Sequence, residues 1–162
     1  MENDIYIALG SNIGERESNL LRAVAEIASI PDSRVTALSS FYDTEPVGMA
    51  AAGHFLNAVL RLASSRTPGD LLSELMRIES QIFQRTRSGG VDSRRMDLDI
   101  LFYGSSCINM PPVLVIPHPR LHARRFVLEP LAEIAPEFMH PLLHKTVREL
   151  LGEVVKAARI LS

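Results

Sequence analysis

Apolar residues along this chain switch between a period of two and a helical period, and the switches mark its elements. Ile5 to Leu9 is a short, partly β-branched run that stops at Gly10-Ser11-Asn12, as a buried strand does on entering a turn. After Gly14 the spacing of Leu20, Leu21, Val24, Ile27 and Ala28 becomes helical, and Pro31-Asp32 closes that helix. A second strand is expected from Val35 to about Tyr42 and a third from Phe55 to Ala63. The Pro- and Gly-containing stretch between them, Asp43 to Gly53, is long for a hairpin, which makes it a candidate substrate wall.

Thr67-Pro68-Gly69-Asp70 supplies an N-cap, a proline at the first helical position and an acid in the first turn. Leu71, Leu72, Leu75, Ile78 and Ile82 then form an apolar stripe. A polar segment from Thr86 to Ser93 leads into a fourth strand, Met96 to Tyr103, ended by Gly104. A short extended piece at Val113 to Ile116 precedes helical patterns at Phe126 to Ile134 and Thr146 to Leu161. Four strands interleaved with helices predict an α+β fold, a ferredoxin-like sandwich with a central, mainly antiparallel sheet and helices packed on it.

The chain of 162 residues fits one domain, residues 1–162. Its 46% hydrophobic and 22% charged residues are those of a globular protein, and no run is long and apolar enough for a membrane span. The start, Met1 to Gly10, has the features of neither a signal peptide nor an anchor. A single cysteine, Cys107, cannot form an internal disulfide, so a reducing compartment, the cytoplasm, is expected. A net charge of -2 gives no general attraction for nucleic acid, so anion binding must come from local clusters of cations. Two exist: Arg85, Arg87, Arg94 and Arg95, opposed by Asp92, and Arg120, Arg124 and Arg125, flanked by His118 and His122.

The sharpest chemical signal is Met96-Asp97-Leu98-Asp99-Ile100-Leu101-Phe102-Tyr103. Alternate side chains of a strand share a face, so Asp97 and Asp99 point the same way with α-carbons about 7 Å apart. The rest of the strand is apolar on both faces, and two neighbouring carboxylates there call for a compensating cation. Magnesium suits them, because two carboxylates with phosphate oxygens and water make the partial shell it prefers. The alternative is a solvated strand end paired with Arg94 or Arg95. Arginine forks upstream add phosphate-binding capacity, although Arg85 and Arg87 equally suit a solvated helix end. Without a Gly-x-x-x-x-Gly-Lys-Ser/Thr motif a P-loop is excluded, and Gly10 and Gly14 are taken as turn glycines. Phe55 and Asn57 share a face, which suits a flat heterocycle that needs both stacking and paired hydrogen bonds; a core phenylalanine and a satisfied amide are the alternative. His118, between Pro117 and Pro119, is either an ordinary loop histidine or a rigidly presented phosphate ligand.

Five blocks in order, Tyr6-Ile7-Ala8-Leu9-Gly10-Ser11-Asn12, Ser39-Ser40-Phe41-Tyr42-Asp43-Thr44, Phe55-Leu56-Asn57-Ala58, Arg94-Arg95-Met96-Asp97-Leu98-Asp99-Ile100-Leu101 and Pro117-His118-Pro119-Arg120-Leu121, resemble 6-hydroxymethyl-7,8-dihydropterin pyrophosphokinase. The resemblance runs from Tyr6 to about Pro136. It implies transfer of the β,γ-diphosphate of ATP to the hydroxymethyl group of a reduced pterin, with release of AMP, in folate biosynthesis. It implies two Mg²⁺ ions held by Asp97 and Asp99, and a pterin pocket of Thr44, Val47, Phe55, Asn57 and Phe126. Glu79, Arg87, His118 and Arg124 become ATP contacts, and Arg85 and Arg94 the arginines on the transferring group. The chain departs from the family at Val91-Asp92-Ser93-Arg94, where an aromatic residue is usual, at Gln84 in place of a glycine, and at Glu45 in place of a proline. A monomer with small-molecule substrates and neither nucleic-acid nor membrane partners is expected. The rival readings are a metal-dependent phosphohydrolase using the same acids and a non-catalytic ferredoxin-like ligand-binding module.

Overall fold

Strand β1 (Asn3–Ser11) is the centre around which the rest assembles, because its side chains are buried on both faces. The computed structural model describes residues 1–12, 14–44, 54–86 and 96–161. Strands β2 (Ser33–Leu38), β3 (Tyr42–Thr44), β4 (Phe55–Ser64) and β5 (Met96–Tyr103) complete a sheet of order β2-β4-β1-β5, with β3 added to β4. Every pairing is antiparallel. Helices α1 (Arg16–Ala28) and α2 (Pro68–Thr86) form the crossovers, which makes this the expected ferredoxin-like arrangement.

Both crossover helices cover one face of the sheet. Leu20, Ala23 and Ile27 of α1 and Leu71, Leu75, Ile78 and Ile82 of α2 pack on Ile5, Ile7 and Leu9. Helices α3 (Arg125–Ile134) and α4 (Val147–Leu161) cover the other face through Val127, Leu128, Leu131, Val147 and Leu150, which meet Tyr6, Val59, Leu101 and Phe102. Phe102 and Phe138 lie 4.6 Å apart between ring centroids, with Tyr6 edge-on to both. Burial on both sides explains why β1 and β4 are largely apolar along their length, whereas the edge strand β2 alternates.

Three local features depart from the simple pattern. The single strand expected over Val35 to Tyr42 is two strands. The Ser39 amide donates to the Val59 carbonyl and the Ser39 hydroxyl accepts from the Val59 amide, both at 2.9 Å, so a side chain stands in for backbone in the ladder. From Leu38 to Tyr42 the chain advances four residues while its partner passes from Leu60 to Asn57, three. β3 therefore falls partly in the stretch expected to be loop. Second, β5 carries a bulge: Tyr6 pairs with Phe102 and Ile7 with Ile100. Leu101 is left over, and both Leu101 and Phe102 turn toward α3 and α4. Third, strand β6 (Ile108–Met110), absent from the periodicity, pairs with β7 (Leu114–Ile116) as a separate ribbon.

Candidate active site

The register sets one row of residues across four strands: Tyr42 opposite Asn57, Asn57 opposite Gly10, and Gly10 opposite Asp97. The next row on the same face runs Val59, Ala8, Asp99. Asp97 and Asp99 are exposed while Met96, Leu98 and Ile100 between and beside them are buried, so the two acids share the face that α3 covers farther along the sheet. Two inter-strand spacings, about 10 Å, separate Asn57 on β4 from Asp97 on β5. The strand between contributes no side chain at that row, since it places Gly10 there.

Gly10 is not the turn residue expected of it. It is paired on both sides inside β1, whereas Gly14 has a φ of 64°. A β-carbon on Gly10 would stand 3.0 Å from Asn57 Oδ1 and 3.6 Å from Phe55 Cδ1, so the missing side chain is the space these two occupy. Asn57 Nδ2 donates to Thr44 Oγ1 at 2.6 Å, and Thr44 Oγ1 donates to the Phe55 carbonyl at 3.4 Å. That pair fixes the amide with its nitrogen toward β3 and its oxygen over Gly10.

Arg124 links the remaining parts. Its guanidinium lies 5.6 Å from the centroid of Phe126, and its charge acts on both Asp99 and His118. Burial raises the Asp99 carboxyl above the usual carboxylate range, and Arg124 opposes that rise. Burial likewise pushes His118 down to about 4, with the positive charges of Arg124 and then Arg120 adding to the effect. His118 Nδ1 accepts from the Arg120 amide at 3.2 Å, so the neutral ring carries its proton on Nε2. His118 is also tied to β5, donating its own amide to the Leu101 carbonyl at 3.0 Å.

The structure thus gathers Thr44, Phe55, Asn57, Asp97, Asp99, His118, Arg124 and Phe126 around one end of the sheet. Glu79 approaches from α2 on the opposite face, and its carboxylate accepts from the Leu98 amide at 2.7 Å on the outer margin of β5. Arg85 lies in the last turn of α2. Val47, Arg87 and Arg94 lie outside the described residues. Among the described residues no group of three or more His, Cys, Asp or Glu could hold a metal. The donors are instead two hard carboxylates on one open face, one of them desolvated. That set fits a magnesium ion that takes its other ligands from phosphate and water.

Two anchors of β3 escaped sequence reasoning. Glu133 on α3 accepts from the Tyr42 hydroxyl at 2.7 Å, the Ser40 hydroxyl at 2.9 Å and the Ser40 amide at 3.1 Å. From the other side Arg16 grips Asp43 with both guanidinium nitrogens, at 3.1 and 3.2 Å, and donates to the His54 carbonyl at 2.7 Å. The only signal for either was the polar spacing within Ser39 to Thr44, which carries no pairing information.

Comparison with known proteins shows the family and the fold. Residues 6–136 match the family model described as 7,8-dihydro-6-hydroxymethylpterin-pyrophosphokinase. The 2-amino-4-hydroxy-6-hydroxymethyldihydropteridine pyrophosphokinase of Bacillus subtilis is 43% identical over 137 residues, 85% of this chain and 81% of that protein. The protein of the same name from Aquifex aeolicus is 33% identical over 149 residues, 92% of this chain and 91% of that one. A solved HPPK-DHPS chain from Plasmodium falciparum superposes with a TM-score of 0.78 at 15% identity. It is matched over 99% of this chain, which spans 45% of that longer one, and the likeness is one of fold. With its sheet, its paired acids and its sequence in agreement, the chain belongs to the 7,8-dihydro-6-hydroxymethylpterin-pyrophosphokinase family.

Proposed function

We infer that the row of side chains across β3, β4, β1 and β5 serves the reaction of the family. The hydroxymethyl oxygen of 6-hydroxymethyl-7,8-dihydropterin attacks the β-phosphorus of ATP, the bond from that phosphorus to the bridging oxygen of the α-phosphate breaks, and AMP leaves. The hydroxyl loses its proton to solvent water as the new bond forms. The step belongs to folate biosynthesis. The observation that carries this assignment is the register Asn57–Gly10–Asp97, which puts a heterocycle-binding amide and a carboxylate pair about 10 Å apart on one face.

In this reading Phe55 and Phe126 stack on the two sides of the pterin, while Asn57 and Thr44, with Val47, hold its edge. Asp97 and Asp99 hold magnesium, two ions in full, and bound magnesium supplies neutralisation of the phosphate charge. Arg124, Arg87 and the Nε2 proton of His118 bind the nucleotide phosphates, and Glu79, a carboxylate that accepts hydrogen bonds, is an ATP contact away from those phosphates. Arg85 and Arg94 engage the transferring group. The protein contributes positioning and a fixed arrangement of charge, which is most of what phosphoryl transfer asks of it. The enzyme works as a cytoplasmic monomer on small molecules, without nucleic acid.

The test is incubation with MgATP and the reduced hydroxymethylpterin, followed by separation of AMP from ADP. AMP and pterin diphosphate should form in equal amounts and only when both substrates are present. ADP as the nucleotide product, or AMP formed without pterin, contradicts the assignment.

A further inference from the structure

Glu133 lies on α3, away from the reacting groups, yet three donors from one short stretch of chain converge on its carboxylate. All of them come from Ser40 and Tyr42, more than 90 positions away in sequence. The side chains are on the surface, where such bonds add little to overall stability. What they fix is geometry. Tyr42 pairs with Asn57, and Thr44, two residues on, pairs with Phe55 and accepts from the Asn57 amide. At its other end α3 carries Phe126, the second aromatic wall of the proposed pocket, one residue into the helix.

We propose that Glu133 is a positioning residue for the pterin: by fastening α3 to the Ser40–Tyr42 bend it sets the spacing of Phe126 from Phe55 and keeps Thr44 against the Asn57 amide. The inference rests on the pterin reading of the site. Two observations support a latch formed at working pH. Hydrogen bonds, that of Tyr42 first, hold the Glu133 carboxyl below the usual carboxylate range. The reciprocal bond to Glu133 pushes the Tyr42 hydroxyl up to about 12. The latch is therefore charged on one side and protonated on the other throughout the neutral range.

The variants are Glu133→Gln, Tyr42→Phe and the pair together, each compared with the unmodified enzyme in the AMP-release assay and by calorimetric titration of the pterin alone. Each single change should raise the pterin KM and Kd about tenfold, as loss of a charge-assisted hydrogen bond does. The ATP KM should stay within about twofold, and the double variant should lose less than the sum of the two single ones, because both weaken the Tyr42–Glu133 contact. Equal losses for both substrates, full additivity, or unchanged pterin affinity in a folded Tyr42→Phe protein overturns the latch. Absence of pterin-dependent AMP release in the unmodified enzyme overturns instead the reading on which the latch rests.

Discussion

Replacing Gly10 by alanine is the most informative single perturbation, because the space it fills is measured. The new methyl group would stand 3.0 Å from Asn57 Oδ1 and 3.6 Å from Phe55 Cδ1, with no other atom of the described residues beyond its chain neighbours within 4 Å. A carbon–oxygen contact at 3.0 Å must open by a few tenths of an ångström. Asn57 cannot simply retreat, since its nitrogen is held by Thr44 at 2.6 Å. The amide oxygen is turned away from the ligand edge, and the loss should be that of one hydrogen bond, about 1–2 kcal/mol, or about 5- to 30-fold in pterin affinity. The fold should scarcely notice. Gly10 lies in extended backbone that alanine adopts freely, and removing a glycine from a strand lowers the entropy of the unfolded chain. The assay pairs pterin titration with steady-state AMP release and thermal melting. We expect a raised pterin KM, an unchanged ATP KM and a Tm within about 3 °C of the parent. In Asn57→Ala enzyme the added methyl should cost nothing more. A normal pterin KM, or equal losses for both substrates with a falling Tm, refutes the idea that Gly10 exists to seat Asn57 and Phe55.

Further outcomes follow from the same geometry. Asp97→Ala or Asp99→Ala should abolish AMP release at all magnesium concentrations while leaving the melting temperature nearly unchanged, because neither side chain belongs to either apolar cluster; near-normal turnover in either variant refutes the metal assignment. The folded pKa of His118, about 4, lies below its ordinary 6.5, so below pH 6.5 the unfolded chain binds the extra proton first. Stability from this ring is therefore complete above pH 6.5 and is lost as pH falls toward 4, and His118→Gln should flatten that part of the stability–pH curve. Because the ring acts as a neutral donor, the Gln variant should also keep more ATP affinity than His118→Ala. Phe102→Ala, by contrast, empties the middle of the aromatic cluster and should cost about 3–5 kcal/mol in chemical denaturation, far more than any site substitution.

What was legible in the sequence followed from period. Alternation alone placed Asp97 with Asp99 and Phe55 with Asn57, and the structure keeps both pairs on their shared face. The ferredoxin-like class followed from counting strands and helices, whereas the strand order came only from the structure. What stayed hidden depended on contacts between distant segments. The hydroxyl of Ser39 replaces a backbone group and splits β2 from β3, which a propensity reading sees as one strand. Gly10 resembles a turn glycine because it ends an apolar run, and only its neighbours on β4 reveal the close approach. The Glu133 latch joins positions with no common motif, and the bulge at Leu101 leaves no mark in a run that is apolar throughout.

β5 ends the sheet, and its outer margin has a consequence for handling the protein. A strand in that position offers free amides and carbonyls to any other extended chain, and an apolar run such as Ile100 to Tyr103 would be prone to recruit one. Here the carboxylate of Glu79 takes the Leu98 amide and the backbone of His118 takes the Leu101 carbonyl. Substitutions at Glu79, a natural target in a study of nucleotide binding, should therefore also lower the soluble yield, and samples need checking for aggregation before a lost activity is ascribed to chemistry.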